Sequence, residues 1–429
     1  MFLQSSQHVA SYYAHSCADR LLQRPALEGG QDTEVLIIGA GFSGLHTALR
    51  LALAGKRVTV LEASRVAWAA SGRNGGQAIL GWSCDMSPLE AALGHERARR
   101  LWDSMRWAGQ ELRELPERHG FDCDYRPGHL WTAVMPRRVS ILTEWQHEAS
   151  HKWGHDALQF IPREQLPQWV ASERYQAGLF DPESGHLNPL KLALGLAAAI
   201  ERAGGQIYEQ SKALNYREEG GRYVVSTERG QVRADVLVLA CNTYLDKLHP
   251  QLASRVLPVG TYQVATAPLA PEQAEALLPG NVCVTDNQFV LDYFRRTPDH
   301  RLLFGGGCTY LGGMPRDIGA ATRPFLERVF PQLKGVELEY TWGGHIDLTL
   351  KRTPDIGRSG DLYWLQGYSG HGVLPTLAAA RAVSAAIIGN NDELALYQGL
   401  RNDSFPGGKY FAAPLEAIGK AWYRLRDSI

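Results

Sequence analysis

The chain has 429 residues, 45% of them apolar and 21% charged, which excludes a disordered protein and allows two domains with substantial cores. Lysine plus arginine (44) nearly balances aspartate plus glutamate (45), so the overall charge does not favour binding to nucleic acid or to an anionic membrane surface. The expected partner is therefore a small molecule.

The cysteines and the hydropathy pattern exclude further classes of protein. The six cysteines form no CxxC pair and do not cluster with histidines, so neither a disulfide scaffold nor a metal site is predicted. The sequence opens without a basic segment followed by an apolar run, and no stretch reaches the roughly 18 apolar residues of a membrane span. We expect a cytoplasmic protein.

The first regular elements are predicted after a polar lead-in over residues 1–32. Glu34 to Ile38 is a short apolar run ended by glycines, which is typical of a buried parallel strand. A helix is predicted over Phe42–Ala54, and a second strand over Arg57–Leu61. The three elements together form a β-α-β unit.

A glycine motif joins the first strand to the first helix. Gly39, Gly41 and Gly44 form GxGxxG, in which one glycine turns tightly, one lets the backbone approach a pyrophosphate and one packs helix on strand. Glu62 ends the second strand, where a carboxylate accepts hydrogen bonds from an adenosine ribose. The alternative is a glycine-rich turn beside a surface glutamate.

The next segment, residues 84–184, is mixed and is interpreted as inserted material. Its predicted elements are a helical stretch over Leu89–Arg118, a strand over His129–Val134 and a helical stretch over Ile141–Lys152.

After this segment, a helix and further strands continue the dinucleotide-type fold, and an antiparallel sheet is predicted after them. A helix is predicted over Leu190–Arg202, followed by strands at Gln206–Tyr208, Tyr223–Thr227 and Asp235–Leu239. An antiparallel sheet is predicted between Thr261 and Trp342, from the pieces Tyr262–Ala267, Val290–Phe294 and Arg301–Phe304. A strand at Leu362–Leu365 and a helix over Val373–Ile388 end the series.

Two loops carry further candidate chemistry. The loop from Ala70 to Gln77 can lay backbone N–H groups along a diphosphate, although a mobile surface loop has the same composition. The turn from Gly367 to Gly372 opens the last long helix, whose N-terminus can stabilise negative charge on a reduced flavin. The alternative for this turn is a helix cap with a structural histidine.

Extended motifs give the sequence a family resemblance. They are VLEASRVAWAASGRNGGQ, FDCDYRPGHL, SGHLNPLKLALG, LLFGGG, LQGYSGHGV, FPGGKYFAAP and AWYRLRD. With these motifs the chain resembles the FAD-dependent amine and amino-acid oxidoreductases that include D-amino-acid, glycine and sarcosine oxidases, and the likeness is greatest to the γ-glutamylputrescine oxidases.

The resemblance implies an α/β fold, with a Rossmann-like FAD-binding domain and an interleaved α+β substrate domain built on an antiparallel sheet. The FAD-binding domain is expected over residues 31–83, 185–258 and 343–429, the last part including the C-terminal tail. The substrate domain is expected over residues 84–184 and 259–342.

The resemblance also implies the residues that hold one FAD. The pyrophosphate is expected at Gly39, Ala40, Gly41, Phe42, Ser43 and Gly44, and the ribose at Glu62, Ala63, Ser64 and Arg65. The diphosphate and flavin ring are expected at Ala70, Ser71, Arg73, Asn74, Gly75, Gly76 and Gln77. Adenine is expected at Ala213 on the strand after Tyr208, the diphosphate side at Ala240, and the pyrimidine edge at Gly370, His371, Gly372 and Val373.

For the substrate side the resemblance gives weaker guidance. Tyr293 is the first choice for a pocket wall and catalytic residue, followed by His345, Tyr368 and His371, with Trp82 as a further wall. A packed aromatic or a hydrogen-bonded core histidine is the alternative for each of these residues.

Positions that depart from the family pattern also carry information. No cysteine stands in the segment before Thr353-Pro354-Asp355, so FAD is expected to be noncovalent. Leu302 and Leu303 stand where sarcosine-type members carry a lysine that assists oxygen reduction, which leaves the electron acceptor open between O2 and another acceptor.

The expected substrate is a small primary or secondary amine resembling γ-glutamylputrescine, oxidised at its carbon–nitrogen bond by hydride transfer to flavin N5. Leu374 stands where family members that use small amino acids carry a cation, so those amino acids should be poor substrates. Three alternatives remain at this point: a flavoprotein with structural FAD, an electron-transfer subunit, and an NAD-dependent dehydrogenase.

Overall fold

The computed structural model describes residues 5–288, 290–310, 313–400 and 402–405. The tail motifs FPGGKYFAAP and AWYRLRD lie outside the described residues, apart from Phe405, which begins the first of them.

The strands are β1 (Gly29–Ile38), β2 (Val58–Leu61), β3 (Gln77–Ala78), β4 (Arg126–Ala133), β5 (Gln159–Pro162), β6 (Ala177–His186), β7 (Gln206–Tyr208), β8 (Asn215–Glu219), β9 (Arg222–Ser226), β10 (Gly230–Leu239), β11 (Leu257–Thr266), β12 (Cys283–Asp286), β13 (Tyr293–Arg296), β14 (Leu302–Tyr310), β15 (Leu338–Leu348), β16 (Asp355–Ser359) and β17 (Leu362–Gln366). The α-helices are α1 (Tyr12–Ser16), α2 (Phe42–Leu53), α3 (Met86–Leu93), α4 (His95–Arg118), α5 (Val139–Trp153), α6 (Pro189–Arg202), α7 (Pro250–Ala253), α8 (Pro271–Leu277), α9 (Ile318–Val329), α10 (Pro375–Ile387) and α11 (Leu394–Tyr397).

The first sheet is the predicted dinucleotide-type sheet. Its strands follow the order β16-β17-β10-β1-β2-β7, and β9 and β8 are attached beside β10. The pairs β17/β10, β10/β1, β1/β2 and β2/β7 are parallel, so the carboxyl ends of five strands share one edge. Buried aliphatic side chains such as Val35, Ile37 and Val60 pack this sheet against α2 and α6. The confirmed architecture is mixed α/β, with a Rossmann-like first sheet.

The second sheet is almost entirely antiparallel, as predicted. Its order is β15-β11-β14-β13-β12-β4-β6-β3 with β5 beside β6, and only the β12/β4 pair among the described strands is parallel. One face packs on α9 through Phe294, Phe304 and Leu326. Because side chains alternate along a strand, the opposite face carries Trp131, Thr285 and Tyr293 and is directed toward the site described below.

Three predictions about local structure are corrected. The lead-in is not polar throughout, because Tyr12 and Tyr13 of α1 are buried in the main core. The helical stretch over Leu89–Arg118 is two helices, because Gly94 (φ +80°) adopts a backbone conformation that interrupts it. Ala213 lies in the loop between β7 and β8, not on a strand.

Strands without a clear sequence signal were missed. The largest is β6, which pairs with β3, β4 and β5 and therefore organises half of the second sheet. Its sequence AGLFDPESGH mixes glycine, proline and acidic residues, and most of the strand is buried without a period of two, so no strand pattern is visible in the sequence. The predicted strand Val290–Phe294 begins at Tyr293 instead.

Candidate functional site

A cavity of about 1810 Å³ lies between the two sheets. It is bordered by Gly39, Glu62 and Ala240 at the carboxyl edge of the first sheet, and by Thr285 and Tyr293 on one face of the second. Ordinary ligand pockets measure about 300–1,000 Å³, so this cavity has room for a dinucleotide and a second molecule. Its position outside the carboxyl ends of parallel strands is the usual ligand site of such sheets.

The glycine motif forms the turn between β1 and α2. A Cβ at Gly39 would lie 2.5 Å from the carbonyl oxygen of Ala240, and one at Gly44 would lie 1.9 Å from the carbonyl oxygen of Gly39. A Cβ at Gly41 would instead meet only the Ser71 side chain, with Oγ at 3.0 Å. Gly39 and Gly44 are thus fixed by packing; Gly39 and Gly41 both border the cavity, and at Gly41 no backbone atom would oppose a side chain.

The Glu62 carboxylate is held at the end of β2 by two backbone groups. Ala40 N–H donates to Oε2 at 2.9 Å, and Ser64 N–H donates to Oε1 at 2.8 Å. Burial raises the pKa of Glu62, and these two hydrogen bonds oppose that rise. The carboxylate borders the cavity with acceptor capacity left for a pair of ribose hydroxyls.

Arg73 supplies a buried cation to the same cavity. Its guanidinium lies 4.2 Å from the Trp68 ring centroid, and its Nε donates to the carbonyl oxygen of Trp68 at 2.6 Å. Burial lowers the pKa of Arg73. Among the described residues its Nη2 is buried and has no hydrogen-bond partner, which indicates a site for an anionic group.

The loop from Ala70 to Gln77 is braced by its own side chains. Asn74 Nδ2 donates to the carbonyl oxygen of Ala70 at 3.0 Å, and its Oδ1 accepts from Gly76 N–H at 2.8 Å. Gln77 Nε2 donates to the carbonyl oxygen of Val284 at 3.0 Å. The loop is therefore fixed to the second sheet, and the mobile-surface alternative does not describe it.

Tyr293 lies where this loop meets the second sheet. A Cβ at Gly75 would be 2.8 Å from the Tyr293 ring, and one at Gly305 on the neighbouring strand would be 2.1 Å from it. Both glycines therefore leave room for the ring. Tyr293 borders the cavity, and burial raises the pKa of its hydroxyl.

The turn before α10 is organised by Asp347, which sequence reasoning missed. Its buried carboxylate accepts from the backbone N–H groups of Gly367, Tyr368 (2.9 Å) and Ser369 (3.2 Å). Burial raises the pKa of Asp347, although the N–H donors act in the opposite direction. No sequence motif connects this aspartate to a turn some twenty positions later.

The predicted histidine and tyrosine of this turn have defined partners. His371 Nε2 donates to the carbonyl oxygen of Ile79 at 3.0 Å, and burial lowers the pKa of the imidazole, so the neutral form is favoured. The Tyr368 hydroxyl lies 2.8 Å from Ser43 Oγ of α2. Both side chains border the cavity; His371 joins the turn to Ile79, just after β3, and Tyr368 joins it to α2.

The remaining substrate-side candidates also border the cavity. His345 Nδ1 lies 3.3 Å from the Tyr244 hydroxyl. Trp82 packs edge-on against Tyr397, with 5.9 Å between ring centroids. Their positions are compatible with either a wall or a packing role.

The other predicted positions divide into two groups. The further residues that border the cavity are Phe42, Ser43, Ala63, Ser64, Ala70, Ser71, Asn74, Gly75, Gln77, Ala213, Gly370, Gly372 and Val373. Those that do not border it are Ala40, Gly44, Arg65 and Gly76.

Two residues of the second group have clear structural contacts. Arg65 Nη1 donates to Glu209 Oε2 at 2.7 Å, so its guanidinium is directed to a buried carboxylate. Gly76 (φ +72°) approaches Leu187 so closely that a Cβ would lie 2.1 Å from its carbonyl oxygen.

The donor set fits the FAD that the sequence resemblance implies. Gly41 is the N-cap of α2 and carries no capping side chain; Ser71 Oγ accepts from Phe42 N–H at 2.9 Å, and the helix N-terminus still presents its positive end to an anion. Together with the unpartnered Arg73 Nη2 it suits a pyrophosphate, and Glu62 suits a ribose. Within the described residues there is no cluster of side chains suited to a metal ion, and no helix is both long and apolar enough to cross a membrane.

Comparison with known proteins gives a consistent result. The family model described as FAD dependent oxidoreductase (DAO) matches residues 34–386. The gamma-glutamylputrescine oxidoreductase of Escherichia coli (strain K12) is 41% identical over 426 residues, covering 99% of each chain. The probable oxidoreductase OrdL of Haemophilus influenzae is 38% identical and covers 98% of each chain.

Solved structures share the fold at lower identity. Glycine oxidase from Geobacillus kaustophilus has a TM-score of 0.70 at 21% identity, covering 84% of this chain and 95% of that chain. L-Amino acid deaminase from Proteus myxofaciens has a TM-score of 0.71 at 19% identity, covering 91% and 95%.

Proposed function

The chain belongs to the DAO family of FAD-dependent oxidoreductases, and from that premise we propose that it oxidises the carbon–nitrogen bond of an aliphatic amine resembling γ-glutamylputrescine. The observation that carries the proposal is one continuous cavity that joins the residues suited to FAD to a region lined by Trp82, Trp131 and Trp145. The E. coli relative, named for this substrate and matched over nearly its whole length, supports the same choice.

The reaction needs a two-electron acceptor and a desolvated amine. When bound, FAD supplies the acceptor for the hydride that leaves the carbon next to the amine nitrogen. The resulting imine is hydrolysed by water to an aldehyde and ammonia. The chain's own task is to orient the C–H bond and to exclude water from the amine.

Side chains on both walls are suited to that task. Tyr293 stands on the second sheet between Gly75 and Gly305, so its ring is fixed by packing and limits where a substrate can lie. The turn from Gly370 to Val373 precedes α10, whose N-terminus would stabilise negative charge at the pyrimidine edge. We propose that Asp347 is a positioning residue, because it fixes the backbone of this turn.

The apolar side chain of Leu374 favours an amine over a small amino acid as the substrate. Leu374, which follows the turn, is 1% exposed and borders the cavity with an apolar side chain. Arg295 lies on the same face of the second sheet as Tyr293, but its guanidinium donates to Gly75 O and to the Tyr13 hydroxyl. A substrate carboxylate placed beside Leu374 would lack a charge-assisted partner.

We propose that FAD is held without a covalent bond. Cys84, Cys241 and Cys308 border the cavity, and burial raises the pKa of the Cys84 and Cys241 thiols to about 12, which disfavours a reactive thiolate at these two positions. Acid precipitation should therefore release all of the flavin into the supernatant.

The proposed function is tested by anaerobic mixing of the purified yellow protein with γ-glutamylputrescine and with putrescine. We expect loss of flavin absorbance with γ-glutamylputrescine, together with one aldehyde and one ammonia per flavin reduced. A flavin that is reduced by dithionite but by no amine in a broad panel would indicate a structural or electron-transfer role instead. Admitting air to the reduced enzyme then reports whether O2 serves as the acceptor.

A further inference from the structure

One part of the cavity wall, away from the glycine motif in sequence, is formed by β4 and α5. Trp131 of β4 and Trp145 of α5 border it, edge to face, with 5.4 Å between ring centroids. Both indoles are half-buried, so each keeps accessible surface. Such walls suit the methylene chain of an alkylamine.

One face of α5 turns toward this chamber. The helix contributes Ile141, Glu144, Trp145 and Glu148 to the cavity, at the spacing of a single helical face. Glu148 is braced, because Trp153 Nε1 donates to its Oε1 at 3.3 Å. Glu144 is exposed and has no ion-pair partner within the described part of the chain.

Cations stand at the beginning of the same helix. Arg137 and Arg138 immediately precede α5, and both border the cavity. Arg138 Nη1 donates to the carbonyl oxygen of Asn287. Arg137 Nη2 contacts the Met135 sulfur at 3.3 Å, and among the described residues the guanidinium meets no carboxylate.

From this arrangement we infer that Arg137 and Glu144 recognise a zwitterionic amino-acid head group at the end of the substrate remote from the oxidised amine. Seven positions separate the two residues, about 10 Å along a helix, and both long side chains can converge on one head group. Arg137 would donate to the α-carboxylate, and Glu144 would accept from the α-ammonium.

The proposed head group carries one positive and one negative charge, which distinguishes it from a diamine and from a simple carboxylic acid. A bare diamine would bring its second ammonium beside Arg137, and a simple carboxylic acid would bring its anion beside Glu144. A head group that carries both charges satisfies both residues. The inference rests on the proposed function, because it assigns the far end of the same substrate.

The test uses three substrates that share the reacting aminobutyl chain. They are γ-glutamylputrescine, with both head charges, glutarylputrescine, with the carboxylate alone, and N-acetylputrescine, with neither. Arg137→Ala should lower the ratio of kcat/KM for γ-glutamylputrescine over N-acetylputrescine by about ten-fold. Glu144→Gln should lower the ratio for γ-glutamylputrescine over glutarylputrescine by a similar factor, about ten-fold.

Matched controls come from exposed residues that do not border the cavity. Arg163→Ala and Glu164→Gln should leave both ratios unchanged. Unchanged ratios in Arg137→Ala and Glu144→Gln, in an enzyme that oxidises all three amines, would overturn the inference. A loss of selectivity in Arg352→Ala instead would also overturn it, because Arg352 borders the same cavity.

A binding measurement distinguishes failure of the head-group inference from failure of the proposed function. If no amine reduces the flavin, the proposed function is wrong. Calorimetric titration of the holoenzyme with γ-glutamylputrescine and N-acetylputrescine then still tests the head-group site. Equal affinities for the two compounds in the wild type would refute that site.

Discussion

A side chain at Gly41 and one at Gly44 would meet different neighbours. The first would enter the cavity beside Ser71, and the second would strike the carbonyl oxygen of Gly39 where α2 crosses β1. Gly41→Val should therefore fold but purify without flavin, since its side chain occupies the pyrophosphate approach. Gly44→Ala should destabilise the apoprotein by about 1–3 kcal/mol or more, because backbone must shift.

Absorbance at 450 nm and thermal melting of the two apoproteins distinguish these effects. Gly41→Val should melt close to wild-type apoprotein, and Gly44→Ala should melt lower. Retention of stoichiometric FAD by Gly41→Val would show that the turn does not approach the pyrophosphate.

A buried acidic pair gives the molecule a pH dependence away from the cofactor cradle. Burial, and then the charge of Asp292, raises the pKa of Asp286 to about 7. Burial also raises the pKa of Asp292, and Arg328 Nη2, which donates to the Asp292 carboxylate at 2.7 Å, opposes that rise. Because folded Asp286 binds a proton more readily than the unfolded chain, its contribution to the unfolding free energy falls as pH rises from about 4 to about 7.

Asp286→Asn should therefore weaken this pH dependence. The amide keeps the shape of the side chain without the buried charge, so the variant should gain stability relative to wild type as the pH is raised from 5 to 8. Melting curves across this range provide the measurement. Parallel pH profiles for the two proteins would mean that Asp286 does not titrate there.

At the scale of elements, the short helix α1 connects the N-terminal segment to the loop from Ala70 to Gln77. Tyr13 is fully buried, and its hydroxyl accepts from Arg295 Nη2 at 3.1 Å. Arg295 Nε in turn donates to the carbonyl oxygen of Gly75 at 2.8 Å. The segment therefore stabilises both the core and the loop.

Tyr13→Ala should lower the free energy of unfolding by about 3–5 kcal/mol, as expected for a large side chain lost from a core. Tyr13→Phe should cost about 1–3 kcal/mol, because Arg295 loses a buried acceptor. Urea unfolding measures stability, and flavin fluorescence titration measures FAD affinity. We expect weaker FAD binding in both variants; unchanged affinity in Tyr13→Phe would disconnect the hydroxyl from the loop.

Elements whose signal is local could be predicted from the sequence. The β-α-β unit appeared within a few residues of its bounds, because an apolar run, glycines and a helical period fix it without distant partners. Strand β6 could not be predicted, because its residues do not alternate between apolar and polar and its burial depends on three neighbouring strands. The buried role of Tyr13 was likewise hidden, because Arg295 and Trp342 are distant in sequence.

The residues of the candidate site were likewise predictable only where a local sequence motif marks them. Glu62 and the glycines follow from a motif of fixed spacing, and the structure places Glu62 and Gly41 at the cavity. Asp347 was missed because it acts on a turn through backbone N–H groups, which leave no trace in residue identity. Trp131 and Trp145 lay in the segment interpreted as inserted material, and only the sheet topology brings them to the cavity.

At the scale of the whole molecule, the two sheets give the cavity ends of different chemistry. The end beside the first sheet presents glycines, a helix N-terminus and Arg73, which suit phosphate. The end beside α5 presents indoles and charges of both signs. The charged residues of α5 and the apolar Leu374 lie on separate elements of the cavity wall, which fits the proposed substrate with its two chemically different ends.

The arrangement of the cavity also predicts which class of substrate reduces the flavin faster. Anaerobic stopped-flow reduction with sarcosine, glycine, D-alanine, putrescine and γ-glutamylputrescine at equal concentrations should be slower for all three amino acids, since a carboxylate beside Leu374 lacks a cationic partner. Leu374→Lys should raise reduction by the amino acids relative to the amines, whereas the volume-conserving Leu374→Met should not, because only the lysine supplies a charge. Any of the amino acids outpacing both amines in the wild type would place the anion-binding residues elsewhere in the cavity.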